Sequence, residues 1–135
     1  MPDVGKQFGT KGWTPERVPA LPGRTYVVTG GNSGIGFEAS RLLSSRGARV
    51  IMASRNAARA GAAVEAIKAD QPEARVEYVL LELSSLASVR RAAAEIASRT
   101  ETIEALILNA GLMMLPTREL TEDGFETQLG VNHLG

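Results

Sequence analysis

Apolar positions along the chain fall into two alternating kinds of segment. Short continuous runs occur at 25–29 (TYVVT), 49–53 (RVIMA), 76–81 (VEYVLL) and 105–108 (ALIL). Each is the length of a strand, and most of its residues are apolar, which predicts strands buried on both faces. Between the runs, apolar residues recur every three or four positions. Ile35, Ala39, Leu42 and Leu43 share a face over 34–46, with Gly47 as a stop signal. Ala60, Ala63, Val64 and Ile67 share a face behind Asn56, a candidate N-cap, and Gln71-Pro72 ends that helix. Leu86, Val89, Ala93 and Ile96 follow a cap at Ser84 or Ser85. A last helix is expected from near Thr121, with Phe125 and Leu129 facing inward. Strand–helix alternation of this kind predicts the α/β class, a parallel sheet covered by helices on both faces.

Ahead of the first strand, residues 1–24 carry Pro2, Pro15, Pro19, Pro22 and several glycines, which sustain neither a helix nor a central strand. They read as an extended arm, anchored by Trp13, Val18 and Leu21, before a domain over 25–135. Composition removes several functions. Fifteen basic and fifteen acidic residues give a net charge of zero, so no nucleic-acid surface is indicated. Without cysteine and with one histidine, no metal site is expected. No apolar run approaches the ~20 residues of a membrane span, and no signal-peptide pattern opens the chain. A cytoplasmic location is the default expectation.

The chemistry concentrates where the first strand ends. Thr29-Gly30-Gly31-Asn32-Ser33-Gly34-Ile35-Gly36 leads from strand to helix, and Gly34 to Ala39 fits G-x-G-x-x-A. Glycines there let the backbone turn tightly and approach a pyrophosphate, which the helix N-terminus then attracts. Ala39 is expected to let the helix sit close to the strand. Right-handed crossovers then give an incomplete, doubly wound Rossmann-type sheet of about four strands, order 3-2-1-4. In such a sheet an NAD site carries a carboxylate after the second strand, to hold the ribose 2′-hydroxyl. Here that stretch reads Ala53-Ser54-Arg55-Asn56. Ser54 can hydrogen-bond a 2′-phosphate, and Arg55 can pair with it or stack on the adenine. The expected cofactor is NADP, with NAD disfavoured.

Three motifs in order resemble the short-chain dehydrogenase/reductase family: T-G-x-x-x-G-x-G at Thr29 to Gly36, N-A-G at Asn109 to Gly111, and V-N-x-x-G at Val131 to Gly135. The run Leu81 to Arg90 (LELSSLASVR) resembles the family's retinol-dehydrogenase-like branch, and the likeness covers 24–135. The resemblance implies that Gly30, Ser33, Gly34, Ile35 and Gly36 line the pyrophosphate, with Asn32 reaching the phosphates. Asn109 would support the sheet next to the cofactor, with Ala110 and Gly111 beside the adenosine ribose and nicotinamide side. Leu83 would flank the adenine, with Glu82 where the family usually has Asp. Asn132 resembles the family's catalytic Asn. The implied reaction is hydride transfer between NADP(H) and an apolar alcohol, aldehyde or ketone, and a homo-oligomer is one assembly it allows.

The family's Tyr-x-x-x-Lys pair is absent, since Tyr26 is followed by Gly30 and Tyr78 by Glu82. The chain is therefore read as the cofactor-binding, N-terminal portion of such an enzyme, inactive alone, marginally stable or associating through its fourth strand. The alternatives are a non-catalytic dinucleotide-binding or interaction module, and another Rossmann enzyme such as a methyltransferase. Ser54-Arg55 disfavours the methyltransferase, which usually keeps an acid there. His133 is expected to be a packed helix residue, and Met113-Met114 an apolar rim or loop packing.

Overall fold

The structure, a computed structural model, describes Gly9 and residues 12–135. Four parallel strands form one sheet: β1 (Thr25–Thr29), β2 (Arg49–Ser54), β3 (Arg75–Leu80) and β4 (Ala105–Ile107). Their order is β3-β2-β1-β4, as the alternation predicts. Helices α1 (Gly34–Ser45), α2 (Ala57–Asp70) and α3 (Leu86–Arg99) connect them, and α4 (Thr127–Leu129) runs into a π-helical turn, Gly130–Leu134.

The strands bury both faces because the connecting helices lie on opposite sides. Val28, Val50, Met52 and Val76 join Ala63, Val64 and Ile67 of α2, with Phe37 and Leu43 of α1 packed against them. Val27, Ile51, Ala53 and Val79 join Ala92 and Ile96 of α3 on the other face. Ile51, Met52, Val27 and Val28 are fully buried, each contributing on the order of 1.5–3 kcal/mol. Asn56 caps α2 as expected, accepting from the Arg59 amide at 2.9 Å. Ser85 rather than Ser84 caps α3.

Several expectations are corrected. The buried face of α1 is Gly36, Ser40 and Ser44, whereas Ile35 is 83% exposed and Ala39 only half-buried. Small residues let this helix approach the sheet, and the Ser40 hydroxyl donates to Gly36 O at 2.8 Å. In α3 the buried alanine is Ala92 and not Ala93. The last helix begins at Thr127 and not near Thr121, because residues 121–124 form a turn. Glu126 caps that helix, and Phe125 and Leu129 are exposed. β4 ends at Ile107, and its outer edge has no partner among the described residues. Of the arm over 1–24, residues 1–8, 10 and 11 lie outside the described residues. Leu21 is buried and Val18 packs on the core, but Trp13 is 55% exposed and outside that cluster. The arm is not wholly extended, since Pro15–Arg17 form a short 3-10 helix with Pro at its start.

Candidate functional site

β1 ends on two devices. The Thr29 hydroxyl accepts from the backbone amides of Asn109 and Ala110, both at 3.0 Å, and the Asn109 side chain donates to Thr29 O at 3.0 Å. These bonds fix the ends of β1 and β4 side by side. Gly30 and Gly34 then adopt φ of +66° and +53°, which folds the turn back to start α1. A Cβ on Gly36 would lie 2.4 Å from Gly30 O and 2.5 Å from Asn109 Nδ2, so only glycine allows the approach. Ser33 is the N-cap of α1 but makes no side-chain cap bond. No side chain caps the first-turn amides, the arrangement that attracts an anion.

The carboxyl ends of the strands border a cleft of about 640 Å³. Gly30, Asn32 and Ser33 line it from the glycine turn, Ser54 and Arg55 from the end of β2. Glu82 and Leu83 line it after β3, and Asn109, Ala110 and Gly111 after β4. The structure thus gathers ten of the residues singled out by sequence around one cavity. Gly34, Ile35 and Gly36 lie outside its lining, where Gly36 serves the helix–strand contact and the Ile35 side chain faces solvent.

The β2 end is polar and unsatisfied. The Ser54 hydroxyl is buried with no hydrogen-bond partner, the state left when a buried polar group awaits a ligand or water. Arg55 is exposed beside it. Sequence reasoning missed Arg59, which also lines the cleft from the first turn of α2. Its place in the first turn of the helix, three residues past the Asn56 cap, is the available signal, since that turn opens at the end of β2. Among the described residues neither guanidinium makes an ion pair or side-chain hydrogen bond.

Across the cleft, Glu82 Oε1 accepts from the Ser84 amide at 2.9 Å. Leu112, Leu115 and Leu120 supply an apolar wall, and Thr127 adds a second buried hydroxyl without a partner. Asn132 is exposed beside the cleft, outside its lining. Its Oδ1 accepts from Leu112 N at 2.8 Å and its Nδ2 donates to Leu112 O at 2.7 Å. The side chain therefore clips the final helical segment to the loop after β4. His133 is exposed on the π-helical turn, not packed against the sheet. Met113 and Met114 are 76% and 86% exposed and lie outside the lining, so they neither rim this cleft nor pack within the loop. Met114 holds φ of +59°, rare for a non-glycine residue.

Comparison with known proteins places this geometry. Residues 24–135 match the family model described as short chain dehydrogenase. Retinol dehydrogenase 13 of Homo sapiens is 42% identical over 130 residues, which cover 96% of this chain and 39% of that protein. A crystal structure of an uncharacterized protein from Mycobacterium Paratuberculosis superposes with TM-score 0.75 at 43% identity, covering 90% of this chain and 42% of that one. The Pseudomonas aeruginosa RhlG/NADP active-site complex gives TM-score 0.63 at 31% identity, covering 69% of this chain and 36% of that one. The chain thus spans about two fifths of the length of the relatives it matches. No helix among the described residues is long and apolar enough to cross a membrane.

Proposed function

The chain belongs to the short chain dehydrogenase family, and from that premise we propose that it is the dinucleotide-holding portion of an NADP-dependent oxidoreductase. The observation that carries the cofactor choice is the β2 end. A buried, unpartnered Ser54 hydroxyl lies beside two arginines without partners, and residues 53–56 hold no carboxylate. That set fits a 2′-phosphate and leaves no acidic partner there for a 2′-hydroxyl. The start of α1 fits the pyrophosphate for an independent reason, because its N-cap Ser33 makes no side-chain cap bond and leaves the first-turn amides to an anion.

On this reading Gly30, Asn32, Ser33 and the start of α1 hold the pyrophosphate. Ser54, Arg55 and Arg59 hold the 2′-phosphate. Glu82 and Leu83 border the adenine, and Asn109, Ala110 and Gly111 border the ribose and nicotinamide side. Bound NADPH supplies a hydride. Leu112 and Leu115 form the apolar side on which a hydrophobic alcohol, aldehyde or ketone is received, in keeping with the retinol dehydrogenase among the relatives. Asn132 holds the loop that carries those leucines. Within these 135 residues there is no Tyr-x-x-x-Lys pair to pass the substrate proton. The chain by itself is therefore expected to bind the dinucleotide without turning it over.

The test is calorimetric titration with NADPH and NADH. Wild type should prefer NADPH. Arg55→Asp should weaken NADPH by about ten- to a hundredfold, the worth of a charge-assisted hydrogen bond of roughly 1.5–3 kcal/mol, while NADH changes little. Equal losses for both cofactors would remove the role of Arg55.

A further inference from the structure

The two walls on the adenosine side of the cleft come from segments far apart in sequence, and the geometry points to Asp123 as the residue that positions them. This inference rests on the dinucleotide reading of the same cleft. One wall is 81–84, between β3 and α3, and the other includes Glu119, Leu120 and Thr127. Asp123 lines neither. Its Oδ2 accepts from the Leu86 amide, the first residue of α3, at 2.8 Å across 37 positions. Next to it the Glu122 amide donates to Ser84 O at 3.1 Å.

These two bonds act on the lining directly. Asp123 holds the first residue of α3, and the neighbouring Glu122 amide holds the carbonyl of Ser84, whose own amide orients Glu82 Oε1 at 2.9 Å. On the other side the turn is closed by Thr121 N to Phe125 O at 2.8 Å and by Phe125 N to the Thr121 hydroxyl at 3.2 Å. Thr127 N donates to Glu119 O at 3.0 Å, which ties the turn to the second wall. Ser85, the cap of α3, takes the Ser88 amide, so Asp123 supplies the acceptor that Leu86 lacks within its own helix. A carboxylate on a first-turn amide is charge-assisted and favoured by the helix dipole. Asp123 is therefore a positioning residue: it sets the distance between the walls without touching the ligand.

The experiment titrates the full 135-residue chain with 5′-AMP, NADPH and NADH, and follows melting in parallel. Asp123→Ala should weaken all three by a similar factor, roughly tenfold, as expected for loss of a helix-capping acceptor. The NADPH-to-NADH ratio should stay unchanged, because the β2 end is untouched. Asp123→Asn, which keeps an acceptor oxygen, should restore most of the affinity. Gly124→Ala strains the turn at φ of +83° with no atom within 4 Å of the new Cβ. It should cost all three ligands a few fold, and it keeps the test open if Asp123→Ala does not fold. A lower melting temperature with unchanged affinities overturns the inference, as does a loss confined to NADPH. A wild-type chain that binds none of the three overturns the dinucleotide reading and this inference with it. A wild type that binds, with both variants unaffected, overturns the inference alone.

Discussion

The same substitution at two helical glycines should have opposite signs. At Gly36, the third residue of α1, an added Cβ would lie 2.4 Å from Gly30 O, 2.5 Å from Asn109 Nδ2 and 2.9 Å from Gly30 C. Carbon contacts sit near 3.5–4.0 Å, so α1 or the turn must move by roughly 1 Å. Neither obstacle is the free end of a flexible side chain. One is backbone in a left-handed turn, and the other is an amide held at 3.0 Å to Thr29 O. Overpacking of this kind costs about 1–3 kcal/mol, and loosening the Asn109 bond adds about 0.5–1.5 kcal/mol. Alanine returns about 0.5–1 kcal/mol of helix propensity. Gly36→Ala should therefore destabilise by about 0.5–4 kcal/mol, lowering Tm by roughly 3–5 °C for each kcal/mol. Gly61 lies inside α2 with nothing within 4 Å of a new Cβ and no positive φ. There the propensity gain stands alone, and Gly61→Ala should stabilise by about 0.5–1 kcal/mol. Urea and thermal unfolding followed by circular dichroism give both numbers. Two shifts of the same sign, or a Gly36→Ala variant as stable as wild type, would refute the packing argument.

Ser54→Ala should leave the ligand-free chain as stable as wild type or slightly more so, since it removes a buried hydroxyl that bonds to nothing. It should weaken NADPH more than NADH, and melting scans with and without each cofactor separate the two effects. The Glu126 carboxyl is held below its ordinary value near 4.5, first by the Gln128 amide and then by the Leu129 amide. A depressed pKa contributes stability that is present above the unfolded value and lost as pH falls through the folded one. Glu126→Gln should thus be less stable than wild type at pH 7, with the gap closing below pH 4.5. A gap independent of pH in acid titrations of stability would contradict that origin.

The comparison of Gly36 with Gly61 also marks where sequence reading stops. The glycine turn, strand order and class follow from local pattern, because backbone entropy and strand–helix alternation allow few topologies. The faces of α2 were legible for the same reason, since Ala60, Ala63, Val64 and Ile67 repeat at helical spacing and are all buried. Ser54, at the end of its strand, could be placed at the cleft from chain position, and Asn109 from the family resemblance. The face of α1 was misread because close approach to a sheet selects small residues, and Ser40 and Ser44 carry no apolar signal. The start of the last helix was displaced because Glu126, not a residue near Thr121, satisfies its first amides.

Sequence by itself determined the α/β class, the glycine turn after β1 and the basic residue at the β2 end, and the handedness of the crossovers limited the strand order to a few choices. The class, the turn and the basic residue depend on residues within a few positions of one another, where periodicity, φ preference and charge act locally. Tertiary structure alone decided that Ser54 is left without a partner, that Arg59 joins Arg55 on the cleft, and that Asn132 is engaged with the Leu112 backbone. It also decided that Asp123 reaches the first amide of α3. Contacts of 20 to 80 positions depend on where the packed helices and sheet bring the chain together, and no local pattern encodes that distance.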